Sequence, residues 1–204
     1  MRKSHPRRFP ALGTSRPSAA SPRTRTSQEP TYGETGFAGP VGAVRIRNLR
    51  DDDFPSVVPV MNDWWGERPV AEMLPRLFFQ CFQNTSFAAE ADTESRTVGF
   101  LVGLVSQSNP EEAFIHFVGV DPRFRKLGLG RELYEKFFEA VLARGCRRVR
   151  CVTSPVNAGS IAFHQRMGFR VVPGDSTEGG WSVASNYDGR GHARVRFLKE
   201  LPVA

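Results

Sequence analysis

A chain of 204 residues, 40% hydrophobic and 24% charged, has the balance of an ordinary soluble protein with room for one sizeable core. Its longest unbroken apolar run, residues 98–105, is too short to cross a bilayer, and no apolar stretch follows the basic Arg2 and Lys3 to make a secretory leader. Cys81, Cys146 and Cys151 are odd in number and lack CxxC or metal-ligand spacing, so the expectation is a cytoplasmic protein with no metal and no membrane partner.

The net charge of +7 is unevenly spread. Seven basic and two acidic side chains in residues 1–40 account for +5 of it, leaving +2 for the other 164 residues. That first segment is rich in Arg, Ser, Pro, Thr and Gly and has no hydrophobic periodicity, the composition of a disordered basic tail. A loose nucleic-acid contact, a transit peptide, a surface tether, a plain solvated tail and a misassigned start all remain open for it. Nothing outside the tail points to nucleic acid.

From residue 41 to 204 the pattern is that of one folded domain. "AVRIRNL" alternates apolar and basic residues as a strand, with Val44, Ile46 and Leu49 as its buried side. "DDDFPSVVPVMNDWW" opens with cap-type aspartates and a proline suited to a first helical turn, while Pro59 predicts a short or kinked helix. "VAEMLPRLFFQCF" is a second helix interrupted at Pro75. Two strands, "SFAAEAD" and "TVGFLVGLVSQ", flank a polar turn around Thr93 to Arg96, and "EAFIHFVGVDP" is a third. Leu133, Phe137, Ala140 and Val141 then fall at helical spacing. Arg131/Glu135 and Glu132/Lys136 are expected to pair along that helix, and Gly145 to end it. "RRVRCVTSP" is a strand, "NAGSIAFHQRMG" a helix closed by Gly168, and "FRVVP" and "ARVRFLKEL" the last strands, separated by a long Gly-rich loop at residues 174–192. The order β-α-α-β-β-β-α-β-α-β-β describes an α/β fold, a mixed α+β layered domain.

The stretch "VDPRFRKLGLGRELYEKF" places Gly128 and Gly130 between a strand and a helix, with Arg123, Arg125 and Lys126 just ahead. Such a turn offers backbone N–H groups and a helix N-terminus to a phosphate. No Gly-Lys-Ser/Thr follows, which excludes a Walker loop, and no third glycine stands at Leu133, which leaves the dinucleotide fingerprint incomplete. Taken alone, the glycines are a weak signal, since most such turns are tight connections.

The pattern Arg125-x-x-Gly128-x-Gly130 after a strand ending in Val-Asp-Pro resembles the pyrophosphate signature of the Gcn5-related N-acetyltransferase (GNAT) superfamily. "NAGSIAFHQRMGF" resembles that superfamily's Asn-…-Ala-x-x-Phe-Tyr-…-Gly-Phe segment, and the element order agrees from about Val44 to Leu201. The resemblance implies a GNAT-like central mixed sheet and a co-substrate, acetyl-CoA. Its pyrophosphate would lie on the backbone of Arg125, Lys126, Leu127, Gly128, Leu129, Gly130 and Arg131, with the Arg125 and Lys126 side chains assisting. Its pantetheine arm would pair along Val118, Gly119 and Val120, where the strand is expected to splay from its neighbour. The N–H near Val118 would polarise the thioester carbonyl.

On the later helix, Asn157, Ser160 and His164 fall within about 60° of one another at 100° per residue, while Ala162, Phe163 and Met167 point elsewhere. The resemblance assigns Asn157 to the pantetheine amides and puts His164 where many members carry a tyrosine that protonates the departing thiolate; His164 either takes over that role or only packs against CoA. His116, read as sharing a face with Phe114 and Val118, is the first candidate for the base that frees the acceptor amine, with a plain core histidine as the alternative. Glu67, Asp188 and His192 are further candidates. Trp64, Trp65, Trp181 and Tyr187 are expected either to wall the acceptor side or merely to cap the core. Cys146 and Cys151 are not expected in the cleft.

These residues imply an acetyl-CoA-dependent N-acetyltransferase that moves an acetyl group directly to a primary amine, with a small molecule as the favoured acceptor. A protein N-terminus or lysine, and a non-catalytic acyl-CoA-binding module, are the alternatives. Whether the chain forms a homodimer is left open.

Overall fold

A computed structural model describes residues 43–92 and 96–202; the 1–40 tail and the turn at residues 93–95 lie outside them. Strands β1 (Val44–Asn48), β2 (Phe87–Ala91), β3 (Arg96–Val105), β4 (Glu112–Val120), β5 (Arg148–Thr153), β6 (Arg170–Val172) and β9 (Val195–Glu200) form one sheet in the order β1-β2-β3-β4-β5-β9-β6. Every neighbouring pair is antiparallel except β4 and β5. Strands β7 (Ser176–Glu178) and β8 (Trp181–Val183) make a separate hairpin within residues 174–192, where a loop was expected. The glycines read as loop markers include Gly179 and Gly180, both with positive φ, at the tip of that hairpin.

Among the described residues, four α-helices cover the two faces. Helix α1 (Phe54–Trp64) begins with Pro55 in its first turn and runs through Pro59; α2 (Leu77–Cys81) is one short turn beginning after Pro75, preceded by a 3-10 turn. Both lie on one face over Leu49, Val57, Met61, Phe79, Phe100 and Val102. On the other face, α3 (Leu129–Leu142) and α4 (Ala158–Arg166) cover Leu101, Ala113, Ile115, Val149 and Phe197. Leu49 does not share a buried side with Val44 and Ile46: it follows the end of β1 and joins the α1/α2 cluster, whereas they pack on the opposite one.

Charge anchors the first strand to the first helix. Arg47 forks onto Asp53 at 2.7 and 2.8 Å and reaches Glu90 at 2.6 Å, and Asp53 also accepts the Arg50 N–H at 2.7 Å. The aspartate read as a helix cap thus ties β1 to the helix entrance, a charge-assisted arrangement in a half-buried setting. Along α3, Arg131 approaches Glu135 at 3.7 Å as expected, whereas Lys136 pairs with Glu139 at 2.9 Å and not with Glu132.

Two features of β4 position everything that follows. Its pairing with β5 runs from Glu112↔Arg148 to Ile115↔Cys151 and stops, although β4 continues to Val120 and β5 to Thr153. A bulge also falls at His116, because Val102 pairs with Phe117 and Gly103 with Ile115. One residue too many on β4 reverses the alternation of faces. Ile115 and Val118 therefore both pack toward α3, while Phe117 packs toward α1 and His116 stacks on Phe78 beside α2. The expectation that His116 and Val118 share a face fails for this reason.

Candidate active site

The gap between the diverging ends of β4 and β5 opens into a cleft with two confluent halves, of about 630 and about 470 Å³. Trp65, Arg68, Val118, Asn157, Ser160 and His164 line both halves and mark their junction.

The larger half is built from the end of α1, the end of β4 and the N-terminal turns of α3 and α4. Asp121 accepts the Arg123 N–H at 2.9 Å and so caps the 3-10 turn Pro122–Phe124 that leads out of β4. Buried Phe124 pins this connection to the core. The chain then reverses through Lys126 (φ 66°) and Gly128 (φ 85°) into α3, and this left-handed backbone is the reason for a glycine at 128. The first helical N–H bonds come from Arg131 and Glu132, both to the Gly128 carbonyl. The N–H groups of Leu127, Gly128, Leu129 and Gly130 thus have no intrahelical acceptor and concentrate positive potential at the mouth of the cleft. Gly130 itself lines the cavity, and a Cβ there would meet only the Phe163 ring, at 3.6 Å.

Along the cleft wall, the Asp121 N–H donates to Val98 on β3 at 2.9 Å. Alternation in an antiparallel ladder then turns Gly119 to β3 as well, and directs the N–H and C=O groups of Val118 and Val120 away from it, into the gap. The Val120 carbonyl accepts from Arg125 Nε at 3.1 Å, and a second Arg125 nitrogen donates to the carbonyl of Trp64. The Arg125 fork therefore clamps the end of β4 to the end of α1, a geometry the pyrophosphate role alone does not anticipate. Arg68, whose Nε donates to the Trp65 carbonyl at 2.9 Å, and Arg166 add positive charge to the same half.

On α4, the Asn157 side chain accepts the Ser160 N–H at 3.2 Å and caps the helix. His164 is 4% exposed and stacks on Phe197 with 4.7 Å between ring centroids. Its Nδ1 lies 2.7 Å from the Ser160 carbonyl and its Nε2 2.9 Å from the Tyr134 hydroxyl. A carbonyl only accepts, so Nδ1 carries the proton, and Nε2 accepts from Tyr134. Burial holds this imidazole below its ordinary pKa, which the Ser160 contact offsets in part.

The smaller half is walled by Phe114, Phe117, Met73 and Tyr187, with His116, Asp188 and Arg194 among its charged or titratable groups. Arg194 pairs with Asp188 at 2.6 Å. His116 lies flat against Phe78, 4.3 Å between centroids and 17° between planes, and its Nε2 is 3.0 Å from the Met73 carbonyl. The same reasoning puts the proton on Nε2 and leaves the Nδ1 lone pair available. Burial lowers the His116 pKa, while the Met73 carbonyl and the charge of Asp188 pull it back up.

Of the residues expected to hold a donor, Val118, Gly119, Val120, Arg125, Gly130, Asn157, Ser160 and His164 line the larger half. The side chains of Lys126 and Leu127 are exposed, Leu129 turns into the core, Arg131 pairs with Glu135, and none of these lines the cleft. Of the residues expected on the acceptor side, Tyr187 and Asp188 line the smaller half, Trp65 lines both, and Trp64 lines the larger half alone. Glu67, in a left-handed turn after α1, Trp181, packed against the α3/α4 core, and His192 line neither. Two expectations are reversed. Phe163 lines the larger half, because α4 meets the N-terminus of α3 there, and Cys151 lines the smaller, because β5 turns it toward the gap. Burial pushes the Cys151 thiol well up, away from a reactive thiolate. Arg68, Tyr134 and Arg194 also line the cleft, and no motif marks them; of these, Tyr134 carries a signal, a hydroxyl beside Leu133 and Phe137 in an otherwise apolar helix face that demands a buried partner.

Among the described residues no helix is long and apolar enough to cross a membrane, and no cluster of three His, Cys, Asp or Glu is placed to hold a metal ion.

Residues 43–169 match the family model described as the acetyltransferase (GNAT) family. An L-2,4-diaminobutyric acid acetyltransferase of Nocardia farcinica is 34% identical over 87 residues, 43% of this chain and 44% of that protein. A [ribosomal protein bS18]-alanine N-acetyltransferase of Escherichia coli is 28% identical over 107 residues, 52% of this chain and 64% of that protein. The chain thus spans less than two thirds of either relative. The solved diaminobutyrate acetyltransferase EctA of Paenibacillus lautus, in complex with L-2,4-diaminobutyric acid and coenzyme A, shares the fold, with a TM-score of 0.59 at 19% identity over 80% of this chain and 99% of the other.

Proposed function

The chain belongs to the GNAT acetyltransferase family, and from that premise we propose that it transfers an acetyl group from acetyl-CoA directly to a primary amine of a small molecule. The observation that carries this reading is the parting of β4 from β5 after Ile115↔Cys151, with the N-terminus of α3 at the mouth of the gap. Free N–H groups at Gly128 to Gly130 suit a pyrophosphate, and the strand edge at Val118 and Val120 suits the amides of a pantetheine arm. The larger half thus fits the donor, and Arg68 and Arg166 complement its charge. The Val118 N–H polarises the thioester carbonyl as negative charge develops on its oxygen.

The acceptor enters the smaller half, where Phe114, Phe117 and Tyr187 supply an apolar wall. An amine is mostly an ammonium near neutral pH and must lose a proton before it can attack. His116 takes that proton on Nδ1, since Met73 holds its other nitrogen and burial keeps the ring neutral. Attack then occurs in a ternary complex with no covalent enzyme intermediate; the raised pKa of Cys151 agrees with this. Kinship with an amino-acid acetyltransferase and the aromatic wall support a small acceptor; kinship with a protein alanine acetyltransferase supports the second reading, a peptide N-terminus.

Thiol release from acetyl-CoA across a panel containing L-2,4-diaminobutyrate, polyamines, aminoglycosides and alanine-terminated peptides tests both. Turnover of a small amine above any peptide is expected. Preferred turnover of a peptide would reverse the order, and CoA-ester binding with no turnover of any amine would make the chain a binding module.

A further inference from the structure

The smaller half of the cleft carries a charge that its occupant has to answer. Arg68, His116, His164, Asp188 and Arg194 line it. Burial lowers the pKa of both imidazoles, which leaves them uncharged near neutral pH. Asp188 neutralises Arg194 at 2.6 Å, and a second Arg194 nitrogen donates to the Ala193 carbonyl at 3.1 Å. Among the described residues that line this half, the guanidinium of Arg68 is therefore left as its single uncompensated charge. We propose that Arg68 determines specificity by pairing with a carboxylate of the acceptor, so that the amine to be acetylated belongs to a free amino acid. The proposal rests on the transferase reading above and narrows its small-molecule class.

The chain holds Arg68 at this place by a built loop. After α1 the backbone turns through Gly66 (φ 69°) and Glu67 (φ 61°), a left-handed conformation that side chains other than glycine rarely adopt. Asn62 fastens the turn from within the helix. Its main-chain carbonyl accepts the Glu67 N–H at 2.8 Å, and its side-chain oxygen accepts the N–H groups of Val70 and Ala71 at 2.9 and 3.0 Å. Arg68 Nε then donates to the Trp65 carbonyl at 2.9 Å. With Nε committed, the two terminal nitrogens remain, and they present parallel N–H groups that match a carboxylate.

Position separates this role from that of the other arginines. Arg125 and Arg166 line the larger half alone, and Arg125 is already committed to two carbonyls. Arg68 lines both halves at their junction, close to where amine and thioester would meet. An amino acid in its reactive form, with a neutral amine, carries a single negative charge, opposite to that of the half. A polyamine or an aminoglycoside brings further ammonium groups toward the same guanidinium and is repelled. A peptide N-terminus has an amide where the amino acid has its carboxylate, and offers Arg68 no anion there.

The test uses pairs of acceptors that differ only by the carboxylate: L-2,4-diaminobutyrate with 1,3-diaminopropane, L-alanine with ethylamine, and L-phenylalanine with phenethylamine. Thiol release from acetyl-CoA is measured with the full-length chain, and kcat/KM is compared within each pair. That ratio cancels any part Arg68 plays in holding the donor. In the pair turned over fastest, the wild-type chain should favour the amino acid by about tenfold, the lower end for a charge-assisted bond because Arg68 is exposed. Arg68→Gln should bring the two members level. Arg68→Lys should restore part of the preference, since an ammonium keeps the charge but not the fork. Equal turnover of both members by the wild-type chain, or a preference that survives Arg68→Gln, overturns the carboxylate site and leaves the transferase reading standing. Better turnover of O-phosphoethanolamine than of β-alanine overturns it too, by making the anion a phosphate. A wild-type chain that binds CoA yet releases no thiol with any amine overturns the transferase reading, and the carboxylate site with it.

Discussion

Gly119 lies so close under the indole of Trp65 that a Cβ on it would fall 2.3 Å from the ring. The indole cannot simply withdraw, because Phe100 and Phe117 hold it at centroid distances of 6.2 and 5.6 Å. Trp65 belongs to both halves of the cleft, so its position sets their common wall. Gly119→Ala is expected to cost about 1–3 kcal/mol by overpacking. For a domain of this size each kcal/mol lowers Tm by roughly 2–4 °C. Differential scanning calorimetry measures it, and Trp65→Phe in the same chain should recover much of the loss. A Gly119→Ala chain as stable as wild type, with unchanged acetyl-CoA affinity, would remove Trp65 as a fixed wall.

Arg125 makes a different kind of prediction, since its guanidinium is committed to two carbonyls, those of Val120 and Trp64, on different elements. Arg125→Ala should loosen the end of β4 from the end of α1 and weaken acetyl-CoA binding by about tenfold, the scale of one or two charge-assisted hydrogen bonds. Arg125→Lys should not restore it, because an ammonium cannot span both carbonyls as the planar fork does. Calorimetric titration with acetyl-CoA decides the matter. Full recovery by lysine would mean that only the charge counts.

The base assignment predicts a pH profile. Burial holds His116 below its ordinary pKa, so its neutral form persists into mildly acidic solution. The acid limb of kcat/KM should accordingly bend below pH ~6.5, the reference for histidine. His116→Asn should cut kcat/KM by about 100-fold and abolish that bend, as expected for loss of a general base. An acid limb that survives the substitution unchanged would assign it to another group.

What could be read in the chain beforehand follows the range of the interactions involved. The Gly128/Gly130 turn and the break at Pro75 depend on neighbours within a few residues, and each is where its local pattern suggests. The face of His116 depends on a bulge that exists only because β3 pairs with β4 in one register, and spacing along β4 cannot reveal it. Phe163 and Cys151 reach the cleft for a similar reason: it opens where β4 and β5 part, and apolar periodicity marks them equally well as core. Lys136 has acceptors at i−4 and i+3, and the choice of Glu139 is a rotamer preference that spacing leaves undecided. Tyr134 was legible in principle as a polar tip on an apolar face, but its partner lies 30 residues on.

Stability should also respond to pH through His164. In the unfolded chain its imidazole titrates near the reference of about 6.5, whereas burial lowers its pKa in the fold. Between those two values the unfolded state binds more protons than the native state, so unfolding becomes easier as pH falls. The contribution of a neutral His164 is therefore fully present above pH ~6.5 and is lost progressively as the solution is acidified through that value toward the lower folded pKa. His116, lowered for the same reason, adds a second contribution of the same sign. Thermal melts at pH 8, 7, 6 and 5 should show little change above neutrality and a falling Tm below it. His164→Phe should flatten this fall while leaving part of it to His116. The substitution also strands the Tyr134 hydroxyl at a cost of about 1–3 kcal/mol, so its Tm at pH 8 should be lower than that of wild type even as its pH dependence shrinks. An undiminished pH dependence in His164→Phe would show that this imidazole is not held neutral by the fold.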